Sequence, residues 1–232
     1  MPDSLRECSI MPVIDVDGPG PVVLISDVRV TAIPVAECGE PLRDVREVLR
    51  VDRRLADPDG AFAHLREGLL ERLGEADRRL PSGVHLVVVE GYRPPVLQTR
   101  YFEEYKDELR GLFPEMSAQQ LHTAASRYVS PIEVAPHTAG AAVDLTLCDD
   151  DGVELDMGTA VNATPEQSDG ACYTASPLIG AEARRNRETM RAALEPAGLV
   201  NYPTEWWHWS YGDRYWAMTT GADAAIYGPV TL

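Results

Sequence analysis

Lysine is nearly missing from this chain. Lys106 stands alone among 232 residues, and arginine carries the rest of the positive charge. Acidic residues outnumber basic ones by 37 to 21, for a formal net charge of −16. So acidic a chain lacks the clustered cations that a phosphate backbone requires, which excludes a nucleic-acid partner. It implies solubility and a preference for cationic or zwitterionic partners. No apolar run approaches the ~18 residues of a membrane span, which argues against a membrane partner. The cysteines are few and scattered, Cys8, Cys38, Cys148 and Cys172, with no CxxC pair. Reduced thiols are expected, not a disulfide framework. The stretch "MPDSLRECSIMPVIDVDGPG" has no basic n-region and no apolar core of signal-peptide length. The expectation is a cytoplasmic protein in which residues 1–20 form a leader or loop.

What is present is ordinary globular material, 44% hydrophobic and 25% charged. The length suits a single domain over residues 1–232. After the loop "DGPGP" at 17–21, the β-branched run "VVLISDVRV" predicts a strand. Leu65, Leu69 and Leu73 are spaced for a helix over 60–80, which "PSG" breaks. "VHLVVVE" reads as a buried strand. Pro94 and Pro95 open a second helix with Leu97, Tyr101, Tyr105 and Leu109 on one face and Gly111 at its end. "SAQQ" at 117–120 has the capping-box form for a third helix to about Tyr128. "AAVDLTL" alternates as a strand, and "DDDG" turns it into "VELDMG" as a hairpin. Residues 159–177 read as a long surface loop, 178–194 as a fourth helix, and "WHWSYG" as a late core strand. The layout predicts an α+β fold, with helices packed on a mainly antiparallel central sheet.

Only five histidines are available, and three have plain readings. His64 and His122 fall in predicted helices, and His85 suits a satisfied core residue. His137 lies in a glycine-containing turn before a strand, and Asp144 follows within that strand. Aspartate is depleted in strands and rarely buried unpaired, so Asp144 needs a partner. Imidazole plus carboxylate is a normal zinc ligand pair. His208 would complete a set of three, which leaves a fourth position for water at the sheet. Glu205 precedes His208 by three residues in "EWWHW" and can serve as a general base. Arg93, at the end of the strand "VHLVVVE", can stabilise an oxyanion. A plainer reading also fits the spacing. His137 and Asp144 would form a hydrogen-bonded strand pair, and Glu205 would pair with Arg214 or Arg93. All four tryptophans lie in residues 206–216, where they would wall the site or pack the core.

"PHTAGAAVDLTL" resembles the SxHxxGxAxD motif, and "EWWHW" the ExxH motif, of the VanX-type D-alanyl-D-alanine dipeptidases. These are zinc peptidases related to the D-Ala-D-Ala carboxypeptidases and to the Hedgehog domain fold. "EGYRPP" resembles the family's GYRP segment, and "DMG" and "RRNRETMRAALEPAGL" resemble segments between the motifs. The likeness spans about residues 85–217. It implies one zinc per chain held by His137, Asp144 and His208, Glu205 as catalytic base and Arg93 as transition-state stabiliser. Trp207 joins the implied substrate contacts. Two positions depart from the pattern. Ala135 occupies the motif's serine, and Val161 and Asn162 stand where the family reads an FD pair. An amide holds an ammonium less well than a carboxylate does. Glu166 or Asp169 in the long loop could supply an acid instead. The expected function is a zinc metallohydrolase cleaving a D-Ala-D-Ala-type dipeptide. The alternatives are another dipeptide or small amide in a biosynthetic pathway, or a zinc- or ligand-binding homologue without turnover. A homo-oligomer stays open.

Overall fold

The computed structural model describes residues 22–126 and 128–232. The expected leader and the "DGPGP" loop lie outside them. In chain order the elements are α1 (Val28–Thr31), β1 (Leu42–Asp44), β2 (Arg50–Val51), β3 (His64–Arg66), α2 (Glu67–Asp77), β4 (Val84–Glu90), α3 (Pro95–Leu112), α4 (Ala118–Ala125), β5 (Ala142–Asp149), α5 (Pro165–Ser168), α6 (Ala181–Leu194), β6 (Val200–Asn201), β7 (His208–Ser210) and α7 (Arg214–Thr220). The main sheet has the order β2-β4-β5-β7-β6. It is mixed: β2 runs parallel to β4, and the other three pairings are antiparallel. A separate antiparallel pair joins β1 to β3. No helix among the described residues is long and apolar enough to cross a membrane.

β4 and β5 form the middle of the sheet because nearly every side chain on them can be buried. Leu86, Val88, Val143, Leu145 and Leu147 have no exposure, and they pack with Leu69, Leu73 and Met190 of α2 and α6 in one core. Trp206, Trp207 and Trp209 join that core. Their indoles are buried, and Trp206 Nε1 donates to Thr159 Oγ1 at 2.8 Å. The strand period decides the rest. Along β7, His208 turns to a cavity while Trp209 turns to the core.

Three local expectations need correction. "VVLISDVRV" forms no strand: Asp27 accepts from the Arg29 backbone N–H and caps the short helix α1 instead. Two of its apolar side chains are buried all the same, Ile25 and Val30 packing on Tyr202 and Tyr215, while Val28 faces solvent. The helix expected over 60–80 begins only at Glu67, and Leu65 and His64 lie in β3. Tertiary pairing overrides the leucine spacing there. The carbonyls of Phe62 and His64 accept from Gly91 and Tyr92, and β3 pairs with β1. Residues 159–177 are not a surface loop. They contain α5 and bury Val161, Thr164, Cys172 and Ser176. Arg187 of α6 gathers this segment by donating to the carbonyls of Met157, Ala171 and Tyr173.

Other expectations fit closely. The capping box forms at Ser117 and Gln120, although α4 stops at Ala125. β5 turns back through Asp149–Gly152, and Leu155 N donates to Leu147 O. The buried face of α3 is Gln98, Phe102, Tyr105 and Leu109, so Leu97 and Tyr101 sit at its margin. Cys38, Cys148 and Cys172 are free thiols.

One glycine governs the turn that carries His137. Gly140 has φ +62°, and a Cβ there would lie 2.4 Å from Leu42 Cδ2. Its N–H donates to His137 O, closing the turn Pro136–Ala139. Gly140→Ala is therefore expected to destabilise the fold by about 1–3 kcal/mol, a fall of several degrees in thermal midpoint. Thermal unfolding checks this, and an unchanged midpoint would refute the strain.

Candidate active site

The sheet register assembles the site. Asp144 on β5 stands opposite Glu90 on β4 and His208 on β7, so three side chains from distant parts of the chain lie in one row. The turn Pro136–Ala139 adds His137 from the loop before β5. All four are buried. His137 Nε2 lies 3.3 Å from His208 Nδ1. Asp144 Oδ1 lies 3.4 Å from His137 Nε2 and 3.2 Å from His208 Nδ1. Yet among the described residues Asp144 Oδ1 has no partner with hydrogen-bond geometry, which leaves a buried carboxylate oxygen facing two imidazole nitrogens.

A cation accounts for this triangle. Around a tetrahedral ion with bonds of about 2.0–2.2 Å, ligand atoms stand about 3.3–3.6 Å apart. The observed edges are close to that spacing, and two nitrogens with one carboxylate oxygen are a zinc-type donor set. The ring orientations agree. His137 Nδ1 lies 2.7 Å from Gly91 O, which places its proton there and leaves Nε2 as a lone pair. Burial pushes His208 below the ordinary histidine pKa against the pull of Asp144, so the ring is neutral and can ligate. Burial alone would raise Asp144, but His137 and His208 outweigh it and hold the carboxyl ionised.

Glu205 lies between β6 and β7, with Oε2 3.6 Å from His208 Nδ1. Its Oε1 is buried and has no hydrogen-bond partner among the described residues. Burial, then the Asp144 charge, push Glu205 well above the ordinary carboxylate range, and Arg93 draws it partly back. A carboxyl poised this way suits a group that takes and returns a proton near neutral pH.

Arg93 is held rigidly. Its Nε donates to Glu90 Oε1 at 2.9 Å, its Nη2 to Glu90 Oε2, and its Nη1 to Gln98 Oε1 at 2.9 Å. Tyr101 lies under the guanidinium at 4.9 Å, and the Arg93 backbone N–H donates to His137 O. Burial opposes the charge, but Glu90 outweighs it and keeps Arg93 protonated. Glu205 therefore pairs with neither expected arginine: Arg93 belongs to Glu90, and Arg214 donates to Glu133 O.

A cavity of about 300 Å³ opens over these groups. Arg93, His137, Asp144, Glu205 and His208 all line it, as do Ala135 and Asn162. Asn162 takes a left-handed backbone, φ +64°, and its carbonyl accepts from Tyr128 OH. Trp207 does not reach the cavity. It packs in the core against Trp206 at 5.5 Å, so the aromatic walls are Tyr101, Tyr128 and Tyr202 instead. Glu166 is likewise elsewhere, accepting from Tyr105 OH at 2.9 Å, and Asp169 ends α5. The further carboxylate that does line the cavity is Glu104, exposed and 3.5 Å from Arg100.

Residues 64–222 match the Peptidase_M15 family, described as D-ala-D-ala dipeptidase. The chain belongs to the D-Ala-D-Ala dipeptidase family. A relative named D-alanyl-D-alanine dipeptidase from Synechocystis is 33% identical over 219 residues, covering 80% of this chain and 87% of its own length. One from Escherichia coli with the same name is 30% identical, covering 55% of each chain. A solved structure, VanYB in complex with D-Alanine-D-Alanine, overlays with a TM-score of 0.37 at 17% identity, over 80% of this chain and 86% of that one. This is a family of hydrolytic metallopeptidases.

Against that family pattern, Glu90 and Gln98 are residues that sequence reasoning passed over. The signal for Glu90 was available. A carboxylate ending an apolar strand needs a buried partner, the argument applied to Asp144. Gln98 gave no such signal, because a polar residue in an exposed-looking helix turn is ordinary.

Proposed function

We propose that this dipeptidase-family member is a zinc enzyme that hydrolyses D-Ala-D-Ala-type dipeptides. His137, Asp144 and His208 would hold one zinc per chain. The observation that carries this is the buried triangle of donor atoms with edges of 3.2–3.4 Å and an orphaned carboxylate oxygen. Bound zinc supplies Lewis acidity, which polarises a carbonyl and makes water acidic near neutral pH.

The chain's own groups do the rest. Glu205 takes the proton from the attacking water and returns it to the leaving amine. Arg93 lines the same cavity and would stabilise the charge that develops on the carbonyl oxygen. Fixed by Glu90, Gln98 and Tyr101, it needs no reorganisation during the reaction. Arg93→Lys keeps the charge but loses the fork on Glu90. It is expected to lower kcat by about 10²–10³ with little change in zinc content. A loss below threefold would remove Arg93 from this role.

A second reading shares the scaffold and differs in substrate: another dipeptide or small amide. The presence of Ala135 and Asn162 in the cavity wall favours it, since neither offers a charge to a substrate terminus. Hydrolysis assays of zinc-loaded protein on D-Ala-D-Ala, other dipeptides and simple amides separate the two. Cleavage of D-Ala-D-Ala above the others supports the first reading, and preference for another amide supports the second. Bound zinc with no cleavage of any compound would sink both.

A further inference from the structure

The family match begins at residue 64, yet the cavity wall does not. Ile25 and Leu55 both line the cavity that holds Glu205 and His208. We infer that this preceding segment limits the size of the substrate, with Ile25 as the main stop. The inference rests on the peptidase reading above and adds to it the class of substrate: one whose group facing this wall is small and uncharged.

Ile25 is placed to act as a fixed wall. It is 2% exposed although it borders a cavity. It packs in an apolar cluster with Val30, Tyr202 and Tyr215. Its backbone N–H points to Tyr202 OH at 3.4 Å, and the Tyr202 ring lies edge-on to His208 at 5.9 Å. Two residues on, Asp27 caps α1, which packs on α7. The segment is therefore pinned at Ile25 itself through Tyr202, and just after it through α1 on α7. Leu55 is half-buried against the main core. Ile25 and Leu55 are themselves apolar and offer no charge to a ligand, and Val129, Ala135 and Pro136 of the same cavity lining are likewise small or apolar. A close-packed apolar wall discriminates by about 10–200-fold for each added or missing methylene-sized group.

The test compares D-Ala-D-Ala with D-Ala-D-Leu and D-Leu-D-Ala in zinc-loaded wild type, Ile25→Ala and Ile25→Phe. Ile25→Ala is expected to raise kcat/KM for at least one leucine dipeptide, relative to D-Ala-D-Ala, by about tenfold or more. Ile25→Phe is expected to move the ratio the other way or to exclude D-Ala-D-Ala as well. General destabilisation changes all three substrates together, so the ratio is the reading that counts. Should Ile25→Ala not fold, Leu55→Ala probes the same cavity lining from a less buried position. Dissociation constants for the three dipeptides, measured with Glu205→Gln alone and combined with each wall variant, read the gate without turnover. Hydrolysis with all ratios unchanged within twofold overturns the gate and leaves the peptidase reading standing. Shifted dissociation constants with no hydrolysis in the wild type keep the gate and overturn the peptidase reading. No hydrolysis and no binding of any dipeptide overturns both.

Discussion

Glu205→Gln is expected to lower kcat by about 10²–10⁴ while zinc content stays at the wild-type level. Gln has the volume and shape of Glu, so the walls of the site should not collapse. What it lacks is the ability to take a proton from water and return it to the amine. Glu205 suits that task because it is buried, stands 3.6 Å from His208 and has an oxygen with no partner among the described residues. Its pKa is pushed well up by burial and by Asp144. The same features make it costly to the fold, since a buried carboxyl with an unpartnered oxygen and a second carboxylate nearby is an unfavourable burial. The metal-free variant is thus expected to be at least as stable as metal-free wild type. Steady-state kinetics, metal analysis and thermal unfolding on one pair of samples check all three statements. Retention of more than a tenth of wild-type kcat would falsify the assignment of Glu205 as base. Loss of zinc together with activity would move Glu205 to the metal centre.

Removing the metal has the second large effect. Chelation of the wild type is expected to abolish hydrolysis and lower the thermal midpoint, and added zinc should restore both. A ligand present at 100 times its Kd stabilises a fold by about 2.7 kcal/mol, so the midpoint shift is readily measured. Asp144→Asn isolates the cause. It keeps the shape of the strand residue but removes the only anionic donor of the triangle. Zinc affinity is expected to fall by on the order of 10² or more, because even partners of ligating side chains contribute 10–100-fold. Titration with a zinc-chelator competitor gives that number. If Asp144→Asn binds zinc as tightly as wild type, the donor triangle is not the metal centre, and the plainer reading of a strand hydrogen-bond network returns.

Much of the chemistry was legible before the fold. Asp144 stood out because a carboxylate in an apolar strand needs a partner, and His137, Glu205 and Arg93 were found by type and position. The structure brings all of them with His208 to one cavity. Trp207 was misjudged because composition cannot tell which side of a segment an indole takes. Trp206, Trp207 and Trp209 all went to the core, and among these residues His208 faces the cavity. Glu166 and Asp169 were plausible acids by charge alone, but α5 turns them away from the cavity while α3 brings Glu104 to it. The strand expected over 22–30 failed for a related reason. The apolar residues signalled the burial of Ile25 and Val30, whereas the backbone conformation was set by one aspartate cap.

By itself, then, the sequence determined the local matters: the capping box at Ser117, the buried strands β4 and β5, the glycine turn after His137, and which side chains can ligate, ionise or donate. These depend on side-chain chemistry and on neighbours a few residues away. Only the tertiary structure decided that Glu90, Asp144 and His208 share one row, that Glu90 and not Glu205 holds Arg93, and that Ile25 lines the cavity from outside the family-matched region. Those outcomes depend on register between strands far apart in the chain. Register is chosen by which face of each strand the whole core can bury.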